Sequence, residues 1–424
     1  MIATHVSLVA AASGGHEAAL APILLALAVI LAAAKFAGSV AIRLGQPAVL
    51  GELVAGIALG NLHLVGIGAL DGLEGNATLE VLAGLGVIIL LFEVGLESTV
   101  RDMLKVGWPS LFVAVLGVVA PFALGWLVGV MLLPDRSPYV HAFLGATLTA
   151  TSVGITARVL KDLGRSDSSE ARVILGAAVI DDVLGLVILA VVAGVIGAAD
   201  AGGSLSALDI GWILAKAVGF LGGALAIGLV LSPKLFGIAS RLRGHGVLLA
   251  TALVFCFGLA YLASLAGLAA LVGAYAAGLV LERVHYRELA SRENHELEQL
   301  IHPIASLLVP VFFVLMGTKV GLEHFASTEI LLLAALLTVA AVLGKQVCAL
   351  GAFGGGLDRL TIGLGMIPRG EVGLIFASIG LGLSVRGEPI VDAGIYSAVV
   401  IMVVITTMAT PPALKWSLGR RYRR

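Results

Sequence analysis

The sequence predicts an all-α polytopic membrane protein of thirteen transmembrane helices. Three observations carry that prediction. Of the 424 residues, 59% are hydrophobic and only 12% charged, about half the charged share of an ordinary soluble domain, and the mean hydropathy is +1.08. The apolar residues gather in segments of the length a bilayer core demands, roughly 20 residues for about 30 Å. Lysine and arginine alternate between the loops that join those segments, which a wrong segmentation would scramble. A net charge of −1 carries no bias toward nucleic acid.

Taken in order, the segments are 18–37, 47–61, 79–97, 109–132, 139–160, 169–196, 209–231, 246–265, 268–283, 297–317, 328–350, 358–385 and 391–414. Residues 1–17 lack Lys and Arg, so the first segment does not read as a secretory signal and is expected to be a retained span. The second and ninth are short, and Gly267 separates the eighth from the ninth. In the fifth, TLTATSVGITARVL sets Thr147, Thr149, Thr151, Ser152 and Thr156 around Gly154; in the twelfth, MIPRGEVGLIF contains Pro368, Gly370 and Gly373. Proline and glycine loosen a helix, and the freed backbone groups can face a polar cavity. Both segments are therefore expected to be interrupted helices that cross. The two cysteines, Cys256 and Cys348, lie in apolar runs and are expected to be buried thiols.

One set of loops holds twenty of the 26 Lys and Arg residues, from Lys35 and Arg43 through to the terminal Arg423 and Arg424. The opposite set holds only Arg136, Lys319 and Arg386, and three more, Lys216, Lys345 and Arg369, fall inside spans. The first set is expected to be cytoplasmic, which puts the N-terminus outside and the C-terminus inside. With the seventh segment as a linker, spans 1–6 and spans 8–13 then run in opposite directions. Inverted halves of this kind build sites that can face either side of a membrane.

A charge at the centre of a membrane helix costs about 2.5 to 3.5 kcal/mol on insertion scales, which makes intramembrane ionisable residues functional candidates. AAVIDDVLGLVIL places Asp181 and Asp182 side by side in span 6. Counting from Arg172 at a rise of 1.5 Å per residue sets Asp181 about 13 Å deep, near the midplane. Neighbours on a helix point about 100° apart, so the two carboxylates should have different partners. Lys345 in AVLGKQVCAL is the natural counter-ion for Asp181, because pairing offsets part of the solvation that both groups lose. Asp182 is then without a cation of its own, which makes it a functional candidate. Arg369 and Glu371 flank Gly370 and are expected to support the crossing helices. Glu93 and Glu97 in LLFEVGLEST share a helix face at i and i+4; they are candidates for the ion path or its mouth, as is Glu52. The histidines, among them His285, His295 and His302, have no metal-ligand spacing.

Together, ATSVGITARVL, ILGAAVIDDVLGLVIL, the Lys345 context, PRGEVGLI, QPAVLGELVAGIALG and LLFEVGLE resemble the monovalent cation/proton antiporter superfamily, in its second branch, and most closely its NapA-type bacterial sodium/proton antiporters. The resemblance covers nearly the whole chain. It implies the sodium/proton antiporter fold, with Asp182 as the principal cation and proton site, Asp181 paired to Lys345, Thr151 and Ser152 in one unwound crossing segment, and Arg369 and Glu371 in the other. It also implies a homodimer in the bacterial inner membrane, with a dimerisation domain at 18–97 and 246–317, a core domain at 109–196 and 328–414, and a linker helix at 209–231. Glu93 stands where such relatives more often carry an apolar residue. No cofactor is called for.

Hard cations such as Na⁺ and Li⁺ favour oxygen ligands, and carboxylate oxygens also take protons, so the two compete for one site. The expected activity is export of Na⁺ or Li⁺ against about two incoming protons, the second released from Lys345 when the cation binds. The nearest alternative is electroneutral K⁺/H⁺ exchange. A remote one is an intramembrane aspartyl protease, which needs two carboxylates brought together from different helices.

Overall fold

The structure, a computed structural model, describes residues 2–65, 75–97, 107–165, 168–201, 207–242, 244–281, 286, 289–291, 295–323, 327–353 and 356–421. Helices occupy every expected segment. They are α1 (Ile2–Arg43), α2 (Ala48–Gly60), α3 (Ala77–Glu97), α4 (Trp108–Leu132), α5 (Pro138–Thr147), α6 (Val153–Asp162), α7 (Ser169–Asp200), α8 (Ala207–Ala239), α9 (Val247–Leu265), α10 (Ala270–Val280), α11 (Leu297–Thr318), α12 (Thr328–Cys348), α13 (Arg359–Gly365), α14 (Gly370–Leu381) and α15 (Ala393–Arg421). Among the described residues, nine helices are long and apolar enough to cross a membrane, or ten if the pair α13 and α14, bent by 48°, is one span. The remaining expected segments hold the short helices α2 and α10 and the interrupted pair α5 and α6.

Several limits differ from the sequence reading. The first helix is far longer than 18–37, and α15 runs on through Pro411 and Pro412 to Arg421. Hydropathy measures where apolar side chains stop, whereas a helix continues for as long as its backbone bonds are made. The twelfth segment ends at Leu381, not 385. Beyond it, β1 (Ser384–Val385) pairs with β2 (Glu388–Pro389) in a hairpin. Its two turn residues both have positive φ, 53° at Arg386 and 84° at Gly387, as tight hairpins require. The Arg386 N–H donates to Asp200 Oδ1 at 2.7 Å, tying the hairpin to the end of α7. The basic loop residues Arg101, Lys105, Arg243, Arg283, Arg287 and Arg292 lie outside the described residues.

The chain divides into two compact units. The first comprises Met1–Val87 and Ala305–Gly321. Within it, a Cβ on Gly51 would strike the Ala37 carbonyl of α1, and Gly56 of α2 faces Gly317 of α11 at backbone contact. Small residues at such seams let membrane helices approach closely. Asn61 closes this unit by donating from Nδ2 to the carbonyls of Ile57 and Val320, both at 2.8 Å.

The second unit, Ile88–Ile304 and Leu322–Arg424, holds the candidate site. Val113 and Ala114 of α4, Ile174 and Ala177 of α7, Cys348 of α12, and Ile362 and Met366 around α13 form one buried cluster. Ala190, Ala217, Ala263, Leu268 and Val272 join α7 to α8, α9 and α10 in another. Both cysteines are free and buried. The N-terminus of α7 is capped by Ser168 Oγ, which accepts from the Ala171 N–H at 3.1 Å and so relieves one of the orphan donors that a helix start leaves.

Candidate functional site

Helix α7 carries the two aspartates, and the structure treats them differently. Asp181 is wholly buried, and its Oδ1 accepts from Lys345 Nζ of α12 at 2.9 Å; neither side chain has any exposed surface. Lys345 Nζ also donates to the Thr149 carbonyl at 2.9 Å, in the non-helical stretch between α5 and α6. One ammonium therefore ties two spans to a helix break. Gly117 of α4 makes room for this pair, since a Cβ there would lie 3.3 Å from Lys345 Nζ. Asp182 is half-buried rather than enclosed. The buried atoms Asp181 Oδ2 and Thr151 Oγ1 make no hydrogen bond among the described residues. Buried polar atoms are seldom left so, and both oxygens keep capacity to accept a hydrogen bond.

The two breaks meet. Leu148–Ser152 separates α5 from α6, and Met366–Arg369 separates α13 from α14. The Ser152 N–H donates to the Pro368 carbonyl at 2.8 Å. Its Oγ approaches both carboxylate oxygens of Glu371, at 2.9 and 2.8 Å. Thr156 Oγ1 donates to the Gly365 carbonyl, the last of α13, at 2.6 Å. Arg369 is fully buried; Nη1 donates to the Ala150 carbonyl at 2.5 Å and Nη2 to Ala341 at 3.4 Å. From the sequence, Arg369 and Glu371 are expected to support the crossing by pairing with each other or by capping the half-helices. Glu371 and Arg369 each reach the opposite break, at Ser152 and Ala150, across 219 positions of sequence, and Arg369 also reaches Ala341 of α12. The Gly370 N–H donates to Thr407 Oγ1 of α15 at 3.2 Å, a partner the sequence reading passes over; the polar run TTMAT before two prolines is the signal that could have found it.

Gly370 has a φ of +44°, and a Cβ there would lie 2.5 Å from Ser152 Oγ and 2.6 Å from its Cβ. The Gly370→Ala variant should therefore lose about 1 to 3 kcal/mol from backbone strain alone, with the contact to Ser152 adding to it. Thermal unfolding of the purified protein in detergent checks this: an unchanged midpoint would show that the crossing tolerates a side chain.

Glu93 of α3 is half-buried, with Oε1 4.0 Å from Nδ1 of the exposed His302, and takes part in none of the hydrogen bonds at the crossing described above. Glu97 closes α3, and its side chain lies outside the described residues. Glu52 is buried on α2 in the first unit.

The family model for the sodium/hydrogen exchanger, transmembrane, matches residues 11–418. The high-affinity Na⁺/H⁺ antiporter NhaS3 of Synechocystis is 40% identical over 93% of this chain and 90% of its own length. The Na⁺/H⁺-K⁺ antiporter GerN of Bacillus cereus is 36% identical over 93% of this chain and 96% of its own. In structure, the chain is similar to the sodium proton antiporter MjNhaP1 from Methanocaldococcus jannaschii, with a TM-score of 0.69 over 93% of this chain and 96% of that one at 17% identity, which shows the shared fold. The chain belongs to the sodium/hydrogen exchanger family. It is a multi-pass membrane transporter and not an enzyme.

Proposed function

We propose that the protein exchanges Na⁺ or Li⁺ for protons by alternating access, with Asp182 as the group that binds either. The observation that carries this reading is the asymmetry of the pair: Asp181 is enclosed with Lys345, while Asp182, one residue on, stays half-buried. A carboxylate in a low-dielectric setting is costly when bare, and either a proton or a small cation relieves part of that cost. The two then exclude each other, and exchange follows if only the neutralised site crosses the membrane. The hydroxyls of Thr151 and Ser152 are the further oxygen ligands in this reading, since the Thr149, Ala150 and Pro368 carbonyls are already engaged by Lys345, Arg369 and the Ser152 N–H.

In this reading, cytoplasmic Na⁺ leaves as external protons enter, through the inner membrane of a bacterium, with the N-terminus outside and the C-terminus cytoplasmic. The segments 18–97 and 246–317 form the dimerisation domain of a homodimer, and 109–196 with 328–414 form the moving core. Proton release from Lys345 as the cation arrives makes the exchange electrogenic. A potassium-linked reading also has a specific support, because GerN is named for K⁺ as well as Na⁺.

Purified protein in proteoliposomes decides among these. Na⁺ and Li⁺ should dissipate an imposed pH gradient, K⁺ and Rb⁺ much less, and an imposed membrane potential should change the rate. Exchange confined to K⁺ and indifferent to voltage would replace this reading with the electroneutral K⁺/H⁺ one.

A further inference from the structure

Helix α15 carries a buried line of hydroxyls, Thr406, Thr407, Thr410 and Ser417. Two of them turn inward on their own backbone: Thr406 Oγ1 donates to the Met402 carbonyl at 2.9 Å, and Thr410 Oγ1 to the Thr406 carbonyl at 2.8 Å. Such back-bonding is what an isolated threonine in a membrane helix does. The other two reach the interrupted span. Ser417 Oγ shares a hydrogen bond with Thr361 Oγ1 of α13 at 2.7 Å. Thr407 Oγ1 accepts from the Gly370 N–H, the first residue of α14, at 3.2 Å.

These two contacts lie ten residues apart on α15, about 15 Å along its axis, and they fall on opposite sides of the break at 366–369. Each half of the broken span is thus held to the same unbroken helix. The contact at Thr407 has a further role. A helix start leaves its first N–H groups unsatisfied, and the residue in the N-cap place, Arg369, makes no side-chain cap, because a guanidinium only donates and cannot accept from a backbone N–H; it donates instead to the carbonyls of Ala150 and Ala341. Thr407 stands in for the missing cap from another helix. Ser152 also packs on Gly370, since a Cβ there would lie 2.5 Å from its Oγ, and its N–H and Oγ hold Pro368 and Glu371. Gly370 is therefore in contact with both α15 and the other broken span.

We infer that Thr407 is a positioning residue for transport: by anchoring the Gly370 N–H, it sets where the α14 break presents itself to Ser152, Thr151 and the aspartates, and hence how tightly the cation is held. The inference rests on Na⁺/H⁺ exchange at Asp182. It concerns a residue that touches neither the cation nor the proton.

The test compares Thr407→Val, which keeps the shape and removes the acceptor, with Thr407→Ser, which keeps the acceptor, and with Thr410→Val on the same helix. Wild-type exchange is measured first; its absence would overturn the proposed function, and with it this inference, whereas the variants below test the inference alone. Thr407→Val should raise the half-saturating Na⁺ concentration about tenfold, in keeping with a buried donor left unsatisfied, with maximal rate within about twofold of wild type. Thr407→Ser should restore the wild-type value, and Thr410→Val should leave it unchanged. An unchanged half-saturation in Thr407→Val, or an equal rise in Thr407→Ser, would overturn the inference. Should Thr407→Val not yield folded protein, Thr407→Ala replaces it. Hydrogen exchange across residues 368–375 then supplies a second reading, with faster exchange expected in the variant and unaltered exchange refuting the anchor.

Discussion

Asp182→Asn is expected to reduce cation-dependent proton exchange to the level of empty liposomes, while Asp181→Asn retains exchange with altered voltage dependence. The amide keeps the size and most of the hydrogen-bonding of the carboxyl group but can neither hold a proton nor neutralise a cation. At position 182 this removes the group for which both ions compete. At position 181 it removes the charge paired with Lys345, although the amide oxygen can still accept from the ammonium; the ammonium keeps its bond to the Thr149 carbonyl, so the crossing is still tied to α12. Measuring pH-gradient dissipation for both variants side by side, across Na⁺, Li⁺, K⁺ and Rb⁺, separates the roles. Full activity of Asp182→Asn would overturn the assignment of the ion site.

The second large effect concerns stability. Lys345→Met fills the same space with an apolar chain and strands Asp181, a wholly buried carboxylate. Breaking a buried pair by removing one member costs about 3 to 5 kcal/mol, whereas replacing both members by neutral groups can cost little or even stabilise. The single variant should thus melt well below the wild type in detergent. The double variant Lys345→Met with Asp181→Asn should recover most of that loss, though not the transport properties. If the double variant melts as low as the single one, the Thr149 contact and not the ion pair is what Lys345 contributes.

Much of this architecture was legible in the sequence, and for physical reasons. Hydrocarbon tolerates no unpaired backbone, so apolar length reveals helices, and the expense of intramembrane charge singles out Asp181, Asp182, Lys345 and Arg369. The interruptions announced themselves because Pro368, Gly370 and the threonines around Gly154 have few other uses inside a span. Contacts across the breaks were hidden, since nothing local in Ser152 or Glu371 says that each will find the other. Thr407 was hidden for a different reason. Its neighbours Thr406 and Thr410 bond to their own helix, and the three look alike until the packing of α15 on α14 chooses one of them. Helix limits beyond the apolar stretch, as at Ile2 and Arg421, follow from backbone bonding that hydropathy does not measure.

The facing glycines bear on where the protein can yield. In the first unit Gly56 and Gly317 meet at backbone distance, and in the second Gly95 of α3 and Gly278 of α10 do the same, each where a Cβ would collide with main-chain atoms of the other helix. A joint made of main chain has no rotamers to exchange, and so it has no second packing to adopt. It behaves as a weld and not as a bearing. Relative motion of helices is accommodated more readily where side chains with several conformations line the contact than at these glycine seams.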